Sequence, residues 1–342
     1  MMKENLVIHG VATALSPVVH GAILSTKADG DVVPFRTYNY MLPQDGGVFS
    51  KPVPCISGNA VRGLGRRLLV MHSIEDVLGL DLGELAKQCP ELAKDGGIAK
   101  KIRHVMMMFL SGGTLVKGFT IDGSTPAAVY EQTKNRIPWL SLLGGIYVAH
   151  HFESCAKVGL LVPVTTETNT LLNLPVSADS KEREYDKLIG KDFVCQSIDS
   201  LGTETIWHMK KAIASDVSEN PDFENDAEVK NRGMYAQTVL PAGIKFFSYN
   251  TCATDNEGTR LAFYAMFALI SKYGYLGGST RSGYGHMDFA FDFDVDDALR
   301  TYDQFLLDHR KDVEDGIISI MSQFHYGKKT KGKGGDDGND GK

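Results

Sequence analysis

Residues 56–69, with the sequence Ile-Ser-Gly-Asn-Ala-Val-Arg-Gly-Leu-Gly-Arg-Arg-Leu-Leu, predict the helix around which the rest of the chain is organised. Ser57 suits the N-cap position, because its hydroxyl can accept a hydrogen bond from the first helical turn. Arg62 and Arg66, four residues apart, are expected to project together from the side roughly opposite to the apolar residues. At about 100° per residue, the apolar residues share one arc made of Ala60, Val61, Leu64, Leu68 and Met71.

Two features favour phosphate binding by this helix over an ordinary amphipathic helix with solvated arginines, which is the alternative. Paired guanidiniums beside a helix N-terminus suit an anion. Gly63 and Gly65 each cost about 1 kcal/mol relative to alanine inside a helix, so a close approach to the backbone is expected there. Arg67 lies about 20° outside the apolar arc, next to Ala60, and is expected to pack or to form an interface.

Length, charge and cysteine content limit the class of protein. A chain of 342 residues can hold one elaborated domain or two, and its net charge of −6 permits a local basic groove but not a wholly basic surface. No signal peptide or membrane-length apolar run is predicted, so we expect a cytoplasmic protein with no membrane partner. The scattered cysteines, without a C-x-x-C pair, favour a reduced setting without a cysteine-rich zinc motif: Cys55, Cys89, Cys155, Cys195 and Cys252.

The remaining pattern predicts an α+β protein. Strands are expected at 6–15, 159–164 and 287–293, with a return to sheet at 235–249. Helices are expected at 73–78, 82–88, 98–110 and 259–272, and one or two more at 296–324. Residues 177–233 are polar and charged and predict a protruding arm, whereas the composition of 327–342 predicts a disordered tail.

Four motifs, in this order along the chain, resemble those of the RAMP superfamily, the RNA-binding subunits of CRISPR effector complexes. They are Ala12–Gly21, Ser57–Arg67, Pro138–Gly144 and Gly277–Gly285. The resemblance is closest to the backbone subunit of the type IV branch, with the type I-D and type III counterparts behind it.

The resemblance implies a ferredoxin-like (RRM-like) βαββαβ core, called the palm, with two insertions. The palm's first half with the arginine helix would span 1–72, a helical fingers insertion 73–158, and a palm strand region 159–176. A thumb-like arm would span 177–233, the second half of the palm with the glycine-rich loop and C-terminal helices 234–326, and the tail 327–342.

The function implied is that of a scaffold in a ribonucleoprotein complex for antiviral defence. Copies of the chain would stack head to tail into a helical filament on a guide RNA (crRNA), beside other CRISPR subunits, and present the guide to target DNA or RNA. Contacts would go mostly to phosphate and sugar, with no catalytic residue, cofactor or metal. The RNA-binding residues implied are Ser57, Gly58, Asn59, Arg62, Arg66, Arg67, Gly277, Gly278, Ser279, Arg281, Gly283 and Tyr284.

Other functions stay open. A RAMP ribonuclease could cleave target RNA with a loop aspartate (Asp29, Asp31 or Asp45) or process the guide with His20 as general base. A protein of unrelated function could share the four motifs by chance. A nucleotidase is excluded, because the late glycine loop runs from helix to strand and lacks the Gly-Lys-Ser/Thr ending of a P-loop. No aromatic motif of the kind that RNA-recognition domains place on their sheet is apparent.

Overall fold

The computed structural model describes residues 4–21, 32–44, 47–88, 98–113, 127–147, 150–172, 190–194 and 235–323. The loop aspartates Asp29, Asp31 and Asp45, the predicted tail and most of the predicted arm lie outside these ranges.

The described chain contains both strands and helices, mostly in runs of one kind. The strands are β1 (Glu4–Ala14), β2 (Val32–Val33), β3 (Thr37–Gln44), β4 (Gly47–Pro54), β5 (Gly145–Tyr147), β6 (His150–Phe152), β7 (Ala156–Val158), β8 (Val162–Pro163), β9 (Gly190–Val194), β10 (Tyr235–Val239), β11 (Lys245–Thr254) and β12 (Met287–Phe291). The helices are α1 (Gly58–Met71), α2 (Leu82–Lys87), α3 (Ile98–Ser111), α4 (Ala127–Arg136), α5 (Pro138–Leu143), α6 (Thr166–Leu172), α7 (Glu257–Tyr273), α8 (Val295–Asp308) and α9 (Arg310–Gln323). The protein is therefore α+β, as predicted.

The main sheet is antiparallel, with strand order β12-β1-β11-β7. The central strand β1 pairs with β11 along almost its whole length and with β12 through its second half. Strands β7 and β8 pair with the remaining edge of β11. A second sheet has the order β2-β10-β9, and two separate hairpins are formed by β3 with β4 and by β5 with β6.

The hydrophobic core lies between the main sheet and the helices. Alternate residues of β1, such as Ile8 and Ala12, are buried against it, as is Phe246 of β11. Helix α5 is buried at every residue, and its Trp139 meets Phe109 of α3 edge to face at 5.5 Å. Among the described residues, no helix is both long and apolar enough to span a membrane.

Several predicted elements are confirmed with small shifts. The helix predicted at 259–272 is α7, which ends at Gly274 in the left-handed conformation. The helix predicted at 73–78 is a π-helical turn, His72–Val77, that continues α1. The buried strand predicted at 159–164 is reduced to β8, preceded by a single bridge between Ile56 and Leu161.

The predicted apolar arc of α1 is confirmed only in part, since Val61 is buried and Ala60, Leu64 and Leu68 are partly buried against the core. The residues of α1 that are buried are Gly58, Val61, Gly65, Arg66, Leu69 and Val70. Ala60 and Leu64 are only partly buried, and Met71 is exposed. The glycines explain the difference, because a Cβ at Gly65 would lie 2.6 Å from Met266 Cγ of α7 and one at Gly58 would lie 2.2 Å from the Val158 carbonyl oxygen. The predicted close approach to the backbone of this helix is therefore confirmed at Gly65, where α7 contacts it.

Candidate nucleic-acid interface

The N-terminus of α1 is tied to the turn that follows β1. Ser57 caps the helix, since its Oγ accepts a hydrogen bond from the Ala60 amide at 3.3 Å. The Ser57 amide in turn donates to His20 Nε2 at 3.1 Å. An imidazole that accepts at Nε2 and is neutral carries its proton on Nδ1. Burial, and then the charge of Arg36, lower the pKa of His20 to about 4, so the ring is neutral at physiological pH.

A cleft of about 400 Å³ lies where three of the four sequence motifs meet. The turn after β1 supplies His20 and Gly21, and α1 supplies Asn59, Gly63 and Arg67. The loop after α7 closes the cleft with Gly277, Gly278 and Thr280. Segments far apart in sequence thus line one concave surface, which we call the motif cleft.

The glycine-rich loop is shaped by contacts that only glycine permits. Gly277 has a φ of +110°, and a Cβ there would lie 2.5 Å from the Val19 carbonyl oxygen. The Gly278 amide donates to the same oxygen at 2.7 Å. Ser279 is the non-glycine residue with positive φ, at 55°, in the described chain. Such a conformation is uncommon for a residue with a side chain and is a feature of ligand-binding loops.

The three arginines of α1 differ in burial, and the differences are not those that were predicted. Arg66 is only 7 % exposed, and its guanidinium donates to the carbonyl oxygens of Leu143 at 2.7 Å and Gly144 at 2.8 Å. Arg62 is half-buried and also donates to the Leu143 oxygen. Arg67 is exposed and lines the motif cleft. The expectation that Arg62 and Arg66 project away from the packed side of the helix is therefore wrong, and of the two alternatives for Arg67, packing or an interface, packing is wrong.

The C-terminus of α5 explains why the side chains of Arg62 and Arg66 turn towards the protein interior. The last carbonyl groups of a helix have no partner within it, and a cation placed there satisfies them. Arg66 and Arg62 supply that cation to Leu143 and Gly144, and Arg66 also reaches the Met108 oxygen of α3 at 3.4 Å. The sequence shows the two arginines but not the carbonyl groups, which come from segments far along the chain.

The other predicted binding residues lie at or near the loop. Asn59, Ser279, Arg281 and Gly283 are exposed or on the loop surface, and Tyr284 is half-buried. Arg281 belongs to a single 3₁₀ turn, Thr280–Ser282. Ser57 and Gly58 are buried, so they support the interface rather than form its surface.

Two tyrosines of the motif cleft were not predicted. Tyr273 and Tyr275 flank Gly274 and line the cleft, with their rings 5.9 Å apart, and Tyr273 is 45 % exposed. Their signal in the sequence is an aromatic pair around a helix-ending glycine, directly before the glycine-rich motif. Aromatic rings beside a cationic groove are typical of single-stranded nucleic-acid sites.

A second aromatic surface lies on the outward face of the main sheet, where the sequence gave no indication of one. Tyr249 of β11 is directly opposite His9 of β1, and their rings are 5.4 Å apart, with Phe247 next to them. Asp292 pairs with the His9 ring at 3.1 Å. The carboxylate makes this face unfavourable for phosphate, so it is distinct in chemistry from the motif cleft.

The adjacent residues His150 and His151 of β6 are not part of a metal-binding cluster among the described residues. His150 is buried and the adjacent His151 is exposed, as expected for neighbours on a strand. Among the residues that the structure describes, no group of three histidine, cysteine, aspartate or glutamate side chains could hold a metal ion.

Comparison with known proteins places the fold. No family model and no curated protein matches the sequence. A chain of a solved structure described as "Type IV-B CRISPR Complex" is similar with a TM-score of 0.50 and 16% identity, covering 84% of this chain and 90% of that one. Csc2 of Thermofilum pendens matches with a TM-score of 0.37 and 10% identity, over 94% of this chain and 82% of that one, a likeness too low to carry an argument. The chain thus has the fold of a chain of the type IV-B CRISPR complex, which confirms at the level of the fold the resemblance carried by the four motifs.

Proposed function

We propose that this protein is the guide-RNA-binding backbone subunit of a CRISPR complex. The observation that carries the proposal is the motif cleft, in which the N-terminus of α1, Arg67 and the glycine-rich loop line one surface. A helix N-terminus, an exposed cation and closely approachable backbone are the groups that bind a phosphate–sugar chain.

The order of the elements supports a ferredoxin-like core. In sequence the chain runs β1, α1, β7 with β8, β11, α7 and β12, and in the sheet the order is β12-β1-β11-β7. A βαββαβ unit with its first strand between the fourth and third has this arrangement. On that basis α1 and α7 are the equivalent helices of the two halves. The glycine-rich loop that follows α7 leads into β12 beside β1, which brings the loop next to the turn between β1 and α1.

The cleft suits RNA of any sequence. Arg67 would neutralise phosphate, and the Nδ1–H of His20 would donate a hydrogen bond. The exposed ring of Tyr273 would stack on a base, which every base permits. Such contacts read the backbone and not the sequence, as a subunit that must carry variable guides requires.

The proposed role is one of binding, without catalysis, cofactor or metal. His20 is a poor general base, because its Nε2 already accepts the Ser57 amide proton and its pKa is lowered to about 4. The alternative of a ribonuclease depends on Asp29, Asp31 or Asp45, which lie outside the described residues.

Assembly is the second half of the proposal. Copies would stack head to tail along the guide RNA in the cytoplasm, with other CRISPR subunits beside them and target DNA or RNA pairing with the guide. A heterologous contact of this kind produces an open helical filament.

The test is to purify the protein from cells that express a guide RNA and to measure its mass and ultraviolet absorbance by size exclusion. We expect co-purifying RNA and a mass far above that of one chain. Arg67→Glu should lower RNA affinity at least about tenfold and reduce the salt slope by about one, with an unchanged circular dichroism spectrum. The matched control is Arg300→Glu, because Arg300 is exposed and pairs only with Asp297 in the described chain. A monomeric, RNA-free protein, or equal RNA affinity of the two variants, would refute the proposal.

A further inference from the structure

A second cavity, of about 410 Å³, lies on another side of α1 from the motif cleft. Its wall is formed by Arg62 and Arg66 of α1, by Gly112 after α3, by Leu143 at the end of α5, and by residues of β5, of β6 and of the turn after β6, which are Gly145, Ile146, His151, Phe152, Glu153 and Ser154. None of the residues that line the motif cleft lines this cavity. We call it the arginine cavity.

Some guanidinium N–H groups of the arginine cavity have no acceptor among the described residues. A guanidinium carries five N–H groups. Within the described chain, Arg62 donates one hydrogen bond, to Leu143, and Arg66 donates three, to Met108, Leu143 and Gly144. Four N–H groups of Arg62 and two of Arg66 therefore have no acceptor among the described residues. His151, Glu153 and Ser154 complete the polar part of the lining.

Among the described residues, no carboxylate forms an ion pair with either arginine of this cavity, although Glu153 belongs to its lining. Burial lowers the pKa of Arg62, and burial and then the charge of Arg62 lower the pKa of Arg66 to about 10. Two like charges held in a partly desolvated wall repel each other, and a bound anion relieves that repulsion.

We infer that the arginine cavity binds a phosphate group. A phosphate monoester carries close to two negative charges at neutral pH and several acceptor oxygens, which matches two guanidiniums with free donors better than one carboxylate does. The volume is in the range of small-ligand pockets and leaves room for the rest of a nucleotide. The phosphate comes either as a free phosphate or nucleotide, or as part of a strand. This site goes beyond the proposed guide-RNA contact, because it lies outside the motif cleft.

Calorimetric titration of the full chain with inorganic phosphate, and separately with AMP, at constant ionic strength tests the inference. We expect saturable binding, at least about tenfold weaker in Arg62→Gln, since hydrogen bonds between charged groups are strong. Arg62 is preferred to Arg66 for this change because it makes a single bond to the protein. Arg300→Gln removes an equal charge from the surface and should leave phosphate affinity unchanged.

A second variant protects the test if Arg62→Gln fails to fold. Glu153 lines the cavity, is exposed and opposes an anion, so Glu153→Gln should raise phosphate affinity about two- to fivefold. No saturable binding of phosphate or AMP, or an affinity unchanged in both cavity variants, overturns the inference. Competition by a short single-stranded RNA distinguishes the sources: displacement of AMP assigns the site to a strand, and its absence assigns it to a free phosphate or nucleotide. Neither result depends on whether guide RNA binds in the motif cleft.

Discussion

Arg66 and Arg67 are adjacent in sequence, yet one is part of the protein's internal scaffold and the other faces the motif cleft. The side chain of Arg66 is buried and its donors go to main-chain oxygens of α3 and of the C-terminus of α5. The side chain of Arg67 is exposed beside the glycine-rich loop. One helical step of about 100° separates the two environments. The comparison teaches that a basic residue in a binding motif can serve the fold, because helix ends also attract cations.

The largest effect that follows from the comparison is on stability. Arg66→Ala should lower the free energy of unfolding by about 3–4 kcal/mol, because it leaves the Leu143 and Gly144 oxygens buried without this partner. Arg67→Ala should change it by less than about 0.5 kcal/mol. Urea unfolding followed by circular dichroism measures both values.

Arg66→Lys sharpens this test. Lysine keeps the charge but cannot present two parallel N–H groups to two carbonyl oxygens, so it should recover only part of the loss. Equal stability of Arg66→Ala and Arg67→Ala would show that the carbonyl contacts do not hold α5 in place.

A second pair compares the glycines on the same helix. Gly65→Ala should destabilise the fold by about 1–2 kcal/mol, because its Cβ would lie 2.6 Å from Met266 Cγ and overpacking exceeds the gain in helix propensity. Gly63→Ala should stabilise it by about 0.5–1 kcal/mol, since the nearest atom would be Arg67 Nη1 at 3.7 Å. Thermal unfolding of the two variants gives the sign directly. The same sign for both would contradict the close contact between α1 and α7.

A third comparison concerns pH and the two ends of α1. His20, at the N-terminus, has its pKa lowered from 6.5 to about 4, so the unfolded chain binds the extra proton between these values. The contribution of His20 to the free energy of unfolding is complete above pH 6.5 and is lost as the pH falls towards 4. The loss is about 1–2 kcal/mol once solvent screening is allowed for. His72, at the C-terminus, has its pKa raised by a hydrogen bond to Asp303, and its contribution is lost as the pH rises instead.

Unfolding at several pH values in His20→Asn and His72→Asn separates these contributions. His20→Asn should remove part of the loss of stability on acidification, and His72→Asn should leave that loss in place. An acid profile of His20→Asn that equals the wild-type profile would contradict a neutral, hydrogen-bonded His20.

Local signals in the sequence were sufficient for some of the elements, but not for α4, α5, α6 or the hairpin of β3 and β4. Ser57 predicted the start of α1, and Gly274 predicted the end of α7, because a cap depends on residues within one turn. The central strand β1 followed from its β-branched and apolar composition, and the half-buried β12 from the alternation of its side chains. The resemblance implied RNA-binding residues on both α1 and the glycine-rich loop, and the cleft contains members of both.

What the sequence could not provide was the partner of each side chain. The buried face of α1 includes glycines and an arginine, so the positions of the apolar residues alone do not identify that face. Arg66 is buried because it donates a hydrogen bond to the Gly144 oxygen, 78 residues away along the chain. The contribution of Tyr273 and Tyr275 to the cleft likewise depends on where α7 ends relative to α1. Each of these is a tertiary contact between segments that local periodicity does not connect.

Backbone hydrogen bonds to neighbouring segments hold the glycine-rich loop in place without a ligand. The Leu276 amide donates to Gly285 at 2.8 Å, the Gly285 amide to Pro17 at 2.9 Å, and the Gly278 amide to Val19 at 2.7 Å. A loop fixed in this way has little conformational freedom left to lose on binding, so the entropic penalty of association falls mainly on the ligand. The rate of encounter is then governed by diffusion and by the field of the exposed cations, and not by the slow ordering of the receptor.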